Sequence, residues 1–504
     1  MPSTPEPPSG EAVLALDVGT SSVRCLAYSP EGVPWPGVHA VREQDVRVTL
    51  DGGMELDPER LLQAMLACLG EAAAALLAKG GRPAGVACST IWHSLLGADE
   101  AGHPMTPLYI WSDTRSSDAA RALRRELEGE AVHARTGCVL HSSYWPAKLR
   151  WLRERDPAAF DRIARFVSIG EYAEHRLFGR WRVSLCMASG TGLLNQKTRD
   201  WDAEMLAATG LDPARLSPIT PTHEPQTGIA ATLSGPIVAL RRVPFFAALG
   251  DGACSNVGCG ATRPGEAALM IGTSAALRLL FREDSPRPAP AEAPAGLWRY
   301  LLDERRVLIG GAPSNGGNLF AWLQHNLRLD AREVFEAALA KARPGAHGLT
   351  VLPFLAGERN PDYPLDVTGW IAGLRSATTA FDVAQAGMEA VAYRIAAIAD
   401  RLRAVEPGLS AFIATGGLLR SPAWMQMLAD VLGLPLETTD VPEASSRGAA
   451  LMAWESLGRI RSALDCPPER GRPVQPDPAR HAQHQEPRAR HEALYRRIVL
   501  DPES

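Results

Sequence analysis

Two aspartates carry the chemistry this chain is equipped for. Each opens a glycine-rich turn beside an apolar run: Val13-Leu-Ala-Leu-Asp17-Val-Gly-Thr20-Ser-Ser-Val-Arg24 near the start, and Phe246-Ala-Ala-Leu-Gly-Asp251-Gly252 near the middle. A strand that ends in Asp and runs into Gly-Thr-Ser leaves backbone N–H groups and hydroxyls at its tip, a cradle for phosphate oxygens with a cation-seeking carboxylate beside it. Glycine lets the phosphates come close, Thr20, Ser21 and Ser22 supply donors, and Arg24 adds fixed positive charge. Gly272-Thr273-Ser274 repeats that composition. Two such turns ahead of two similar strand-and-helix regions predict two halves closing on a nucleotide. Phosphoryl transfer to a hydroxyl needs held phosphates, a divalent cation and a carboxylate at the acceptor oxygen. The chain offers a candidate for each.

Other nucleotide and hydrolase motifs are excluded by inspection. None of the four lysines (79, 148, 197, 341) follows a glycine, so there is no Walker loop, and no G-x-G-x-x-G is completed. Position 276 is alanine, which removes a G-x-S-x-G elbow at Ser274. His481 and His484 lack the glutamate of a zinc protease and read as solvated tail histidines.

These residues must be positioned by an ordinary globular chain. It has 504 residues, 46% hydrophobic and 22% charged, enough for two to four domains. The net charge of −5, without a basic aromatic-rich patch, argues against nucleic acid and an acidic membrane and favours small ligands. The first eleven residues read as a floppy tail without a signal peptide, and no apolar stretch is expected to reach the roughly 18 residues that span a bilayer. Eight scattered cysteines without a Cys-x-x-Cys pair fit a reducing cytoplasm. Strands are expected at Val13–Asp17, Val23–Tyr28 and Gly85–Ser89, with a helix from the Asp57-Pro58 cap to Lys79. Ala267–Gly272, Ala276–Phe281, Arg306–Ile309 and Ala411–Thr415 read as strands, Phe381–Val405 as a long helix, and Ser421-Pro422 as the start of another ending at Gly433. Alternation of this kind implies an α/β layered fold in two domains meeting near 245–251. Ser285–Pro294 and Pro467–Pro478 read as irregular segments. Phe381–Val405 is long enough to serve either as core or as the face of a homodimer.

The motifs in their order resemble the FGGY carbohydrate kinases of the actin-like ATPase superfamily. The resemblance spans about residues 12 to 458. It is carried by Asp17–Arg24, Trp111-Ser-Asp113-Thr-Arg115, Gly250-Asp251-Gly252, Ile271-Gly-Thr-Ser274, Pro353-Phe-Leu-Ala-Gly-Glu358-Arg-Asn-Pro361 and Ala414-Thr-Gly-Gly417-Leu-Leu-Arg-Ser421-Pro. It implies two actin-like (ribonuclease H-like) domains with a nucleotide and sugar cleft between them: an N-terminal sugar-binding domain over 12–248, a C-terminal nucleotide-binding domain over 249–460, and a tail over 461–504. It also implies ATP and Mg²⁺. Asp251 matches the catalytic base and Asp17 the metal position. Thr20, Ser21, Ser22, Arg24, Gly272 and Thr273 match phosphate contacts, while Gly317, Gly417 and Ser421 match positions around ribose and adenine. Gly416-Gly417 would bring backbone up to a flat ring, and Ser421 is also a helix cap.

The acceptor pocket is expected from Trp92, His93, Trp111, Asp113 and Arg115, convergent polar groups against an aromatic wall. Glycerol kinases of the family carry Arg-Glu where this chain has Trp92-His93, and xylulokinases an apolar residue followed by His. His93-Ser-Leu95, Lys148-Leu-Arg-Trp-Leu152, Ser168-Ile-Gly-Glu-Tyr172 and Ala188-Ser-Gly-Thr-Gly-Leu-Leu-Asn195 resemble the gluconokinase branch, although Trp92 stands where that branch has methionine. The resemblance therefore implies gluconate as acceptor, with xylulose or another ketose or polyol as the alternative. A gluconate carboxylate calls for a cation or several donors, and Arg115, His93, His141 and Lys148 are the candidates, each with structural pairing as the rival role. A non-catalytic sugar- and nucleotide-binding regulator would have lost Asp17 or Asp251; both are present.

Overall fold

The computed structural model describes residues 10–285 and 287–501. The expected tail at residues 1–9 and Pro286 of the expected 285–294 loop lie outside the described residues. The regular elements that position the site, in chain order, are β1 (Glu11–Val18), β2 (Ser22–Tyr28), β3 (Pro34–Glu43), α1 (Pro58–Ala78), β4 (Arg82–Thr90), β5 (Phe245–Phe246), β6 (Leu249–Gly250), α2 (Asp251–Gly258), β7 (Glu266–Ile271), β8 (Ala275–Arg282), β9 (Trp298–Leu301), β10 (Arg306–Gly311), α3 (Gly317–Asn326), α4 (Ala380–Val405), β11 (Ala411–Gly416), α5 (Pro422–Leu432), β12 (Leu436–Thr438), α6 (Ala444–Ser456) and α7 (Pro478–Tyr495). Further helices and short strands between residues 91 and 226 build the outer part of the first half.

Two sheets repeat one plan. In the first, β1 lies antiparallel to β2 and parallel to β4, in the order β5-β4-β1-β2-β3, with β6 also on β4. In the second, β7 lies antiparallel to β8 and parallel to β11, in the order β9-β10-β8-β7-β11-β12. Each first hairpin turns on a Gly-Thr-Ser: Gly19 N–H donates to the Ser22 carbonyl at 2.9 Å, and Gly272 N–H to the Ser274 carbonyl at 2.9 Å.

α1 starts where Asp57 accepts from the N–H groups of Glu59 and Arg60, with Pro58 in the first turn. Its Leu61, Met65, Leu69 and Leu76 pack onto Val23, Cys25, Trp35 and Val38 of the first sheet. Contrary to expectation, α1 is long and apolar enough by length and composition to cross a membrane. Its leucines and alanines together produce that hydropathy, and its apolar side is spent on the sheet. The opposite face of the same sheet is covered by α6, whose Ala449, Ala453 and Trp454 meet Val13, Ala15 and Ala87. The second sheet is covered by α4, which opens with a Thr379/Asp382 capping box, and by α5.

Two sequence expectations need correction. The strand β1 starts at Glu11, inside the expected tail. The C-terminal segment is ordered as α7, and its histidines are not solvated: His484 is buried with Nδ1 3.0 Å from the Tyr393 hydroxyl, and His481 Nδ1 lies 2.7 Å from the Asp430 carbonyl. α7 escaped the sequence reading because the residues it buries, among them His484, His491 and Tyr495, are polar types rather than an apolar stripe.

Candidate active site

Sheet register brings the two aspartates together. On one side of β4, Asp17 pairs with Ser89; on the other, Leu249 pairs with Ser89 and Gly250 with Thr90. Asp17 and Asp251 therefore sit at strand ends on either side of β4, and Asp251 begins α2 with Oδ1 accepting from the Gly252 N–H at 2.8 Å. Burial pushes the Asp17 carboxyl up to about 7; the neighbouring Ser89 hydroxyl opposes this and the Asp251 charge adds to it. Burial also raises the Asp251 carboxyl, against the pull of the Arg278 guanidinium and the backbone N–H groups of Gly252 and Trp92.

The glycines around Asp251 are forced by Trp92. A Cβ at Gly250 would lie 2.0 Å from Trp92 Cε2, and one at Gly252 3.0 Å from Trp92 Cζ3. Trp92 Nε1 donates to the Cys186 carbonyl at 3.3 Å, which fixes the ring. It forms one wall of a chamber of about 90 Å³ that also holds His93, Trp111, Tyr144, Asp251, Arg278, Trp298, Tyr300, Arg359 and Tyr363. Trp298 and Tyr300 stack at 4.3 Å, and the Tyr144 hydroxyl lies 2.7 Å from that of Tyr300 and 3.2 Å from that of Tyr363. His93 holds a positive φ of 64°, and its Nδ1 is 2.5 Å from the Gly190 carbonyl. The carbonyl fixes the proton on Nδ1, burial drops the imidazole to about 3, and the neutral ring offers Nε2 as an acceptor. A second chamber of about 360 Å³, lined by His141, Ser142, Leu355 and Asp366 among others, shares Trp111, Ser143 and Arg359 with the first.

On the far side of the Gly272-Thr273-Ser274 turn lies a cavity of about 890 Å³. Met270 and Ser274 face the small chamber, whereas Ile271, Gly272 and Thr273 face this larger cavity, so the turn is the partition between them. Ser21 and Arg24 enter from the first half, and Gly317, Gly417 and Ser421 from the second, with Phe320, Phe335, Met388 and Trp424 as apolar walls. Gly317 is held by its N–H to the Gly272 carbonyl at 2.8 Å, where a Cβ would come within 2.6 Å of that oxygen. Ser421 is both wall and cap, accepting from the Trp424 N–H at 3.2 Å. Gly416 has a φ of 84° and sits against the Ile271 carbonyl, so its lack of a side chain serves the protein's own backbone rather than a ring.

Some expected residues lie elsewhere. Thr20 is half-buried and Ser22 buried at the root of the first turn, behind the cavity wall. Arg24 does line the large cavity but is also paired with Glu443 at 2.7 Å. Asp113 and Arg115 are spent on each other at 2.5 Å, with Arg115 also bound to Glu55 at 2.9 Å and Asp113 accepting from the Met54 N–H; neither lines a chamber. Lys148 is buried, donating to the carbonyls of Ser142 and Ser143 at 2.6 and 2.8 Å, and burial lowers it to about 7. His141 lines the second chamber with burial holding it neutral. The sequence reading missed Arg278, Arg359, Tyr144, Trp298, Tyr300 and Tyr363. Two signals were available among them: an arginine, Arg278, inside the apolar strand Ala275–Arg282, and the place of Arg359 within the Pro353–Pro361 motif.

The sequence matches the N-terminal domain of the FGGY family of carbohydrate kinases over residues 12–258 and the C-terminal domain of that family over residues 267–456. The chain belongs to this family, and it is an ATP-dependent sugar kinase with the two-domain architecture of the actin-like ATPases. It is 29% identical to a gluconokinase of Bacillus licheniformis, with 89% of this chain and 88% of the relative covered. It is 30% identical to a xylulose kinase of Streptomyces rubiginosus, covering 88% of each. A crystal structure of gluconate kinase from Lactobacillus acidophilus superimposes with a TM-score of 0.86 at 24% identity, over 97% of this chain and 98% of that one. That last likeness bears on the fold.

Proposed function

We propose that this kinase phosphorylates gluconate to 6-phosphogluconate, with Asp251 as general base. The observation that carries the mechanism is the position of Asp251 in the wall of the aromatic chamber, across one glycine turn from the large cavity. The expectation that residues 12–248 supply most of the acceptor site needs correction: Trp92, His93, Trp111 and Tyr144 come from the first half, but Asp251, Arg278, Trp298, Tyr300, Arg359 and Tyr363 come from residues 249–460, which would also supply most of the nucleotide site. The acceptor hydroxyl gives its proton to Asp251 as its oxygen attacks the γ-phosphorus, and the bond to the departing ADP oxygen breaks on the opposite side. Neighbouring Arg278 favours the ionised, proton-accepting form of Asp251.

Magnesium suits the donors present. Asp17 is a hard oxygen ligand beside a phosphate turn. Among the described residues no group of three or more His, Cys, Asp or Glu forms an all-protein cage, so a cation held by one carboxylate, water and phosphate fits better. When bound it would offset charge on the β- and γ-phosphates.

A sugar acid is favoured by the state of the cations. His93 and His141 are neutral, Arg115 is compensated, and Lys148 is committed to carbonyls. Arg359 lines both chambers, 4.2 Å over the Trp111 ring, with its Nε lacking an acceptor, and buried Arg278 has an unpaired Nη1. A carboxylate would complete either guanidinium. The gluconokinase relative points the same way, and the xylulose kinase relative keeps xylulose as the second reading. The free state of the eight cysteines suits the cytoplasm as compartment.

The test is ATP consumption against a panel of sugars and sugar acids. Gluconate should lead, and Asp251→Asn should lower kcat by about 10²–10⁴-fold with the fold retained. Turnover of xylulose in preference to gluconate would replace the acceptor, and an Asp251→Asn enzyme at the wild-type rate would remove the base.

A further inference from the structure

Residues 457–501 lie beyond the segments that match the family, yet α7 within them reaches the back of the 353–363 loop. Tyr495, fully buried at the end of α7, donates its hydroxyl to Asp362 Oδ2 at 2.9 Å, and Arg401 holds the other oxygen at 2.9 Å. The Arg394 guanidinium lies 3.9 Å over the Tyr495 ring, 3.8 Å from Asp362 and 3.6 Å from Glu358 Oε2. Glu358 Oε1 in turn accepts from the backbone N–H of Arg359 at 2.8 Å and of Ser314 at 3.0 Å. Arg359 lines the acceptor chambers, and Ser314 stands three residues before Gly317 of the nucleotide cavity.

We propose that the C-terminal helix is a positioning element of the active site: Tyr495, through Asp362, Arg394 and Glu358, holds the 353–363 loop that presents Arg359 to the acceptor. Packing alone would not need this polar chain, because Phe354 and Leu352 already cover the Tyr495 ring. Arg394 is 1% exposed, and its Nε and Nη2 lack hydrogen-bond acceptors, so its ion pairs depend on where the loop carboxylates stand. Buried charges with incomplete partners are sensitive to small displacements, which makes Tyr495 a lever on Glu358 rather than a passive filler. The loop's duty toward the acceptor rests on the function proposed above; its attachment to α7 does not.

Tyr495→Phe keeps the ring and removes the hydroxyl. In the full-length protein without ligands, hydrogen exchange of the 353–363 amides should accelerate roughly tenfold, the loss of one hydrogen bond to a charged group, while β1 and β4 stay unchanged. In kinetics, KM for gluconate should rise roughly three- to tenfold with kcat less affected, and Asp362→Asn combined with Tyr495→Phe should be no worse than the worse single change. Unchanged loop exchange in Tyr495→Phe overturns the proposal, as does strict additivity in the double variant. Because exchange needs no acceptor, an enzyme that ignores gluconate would remove the functional reading and leave this test standing.

Discussion

Arg24 shows how one side chain can be both anticipated and already engaged. It enters the large cavity beside Ser21, yet its Nη1 is 2.7 Å from Glu443 Oε2, with the two side chains 35% and 25% exposed. A half-exposed pair of this kind contributes about 0–1 kcal/mol, so triphosphate oxygens can draw the guanidinium away from it. Glu443→Gln should therefore free Arg24 and lower KM for ATP by up to about fivefold, read by nucleotide titration at fixed acceptor. An unchanged or higher KM would mean that Arg24 serves the ion pair alone. The same scale explains what the sequence could reveal. Asp17 and Asp251 stood out because carboxylates at the ends of apolar runs have no business in a core. Asp113 and Arg115 look equally chemical in one dimension and cancel each other in three. Tyr144, Trp298, Tyr300 and Tyr363 come from three distant segments, and each alone reads as packing.

At the level of elements, α2 and α6 cross on small residues. A Cβ on Gly258 would fall 1.8 Å from the Ala444 carbonyl oxygen, and one on Gly448 1.8 Å from that of Cys254. The obstacle in both cases is backbone, which cannot rotate away, so Gly448→Ala must push α6 off α2 and with it shift Asp251 at the head of α2. The cost expected is about 3 kcal/mol, the upper range for overpacking, measured by urea unfolding beside the activity of the soluble fraction. No loss of stability would show the crossing to be looser than its geometry. Strand and helix positions were largely legible because caps and glycines mark them: Asp57-Pro58, Ser421-Pro422 and Gly433 bound their helices as read. Which helix covers which sheet was not legible. α6 follows the second sheet in sequence but packs on the first, a choice made by the match of Ala449 and Ala453 to the small residues of β1 and β4.

For the whole molecule, the distribution of contacts between the halves predicts the direction of closure. Beside the two smaller chambers the halves are pinned: Arg121 Nη1 to Asp366 at 2.8 Å, Arg124 Nη2 to the Tyr363 carbonyl at 2.8 Å, and the hydroxyls of Tyr144 and Tyr300 at 2.7 Å. On the other side, Arg24 lines the cavity of about 890 Å³ and also pairs with Glu443, the residue before α6. Rotation about the α2–α6 crossing can narrow that side while the pinned side barely moves. Bound phosphates would bring the two turns together, expelling water so that the acceptor hydroxyl and not solvent meets the γ-phosphorus. Solution scattering should then show a smaller radius of gyration with a non-hydrolysable ATP analogue plus gluconate, most of the change appearing with the nucleotide analogue alone. Full compaction by gluconate alone would move the hinge to the nucleotide side, and no compaction with both ligands would mean that the crevice works without closing. The Glu443→Gln protein separates these outcomes, since freeing Arg24 from its ion pair should ease closure by nucleotide without altering the pinned side.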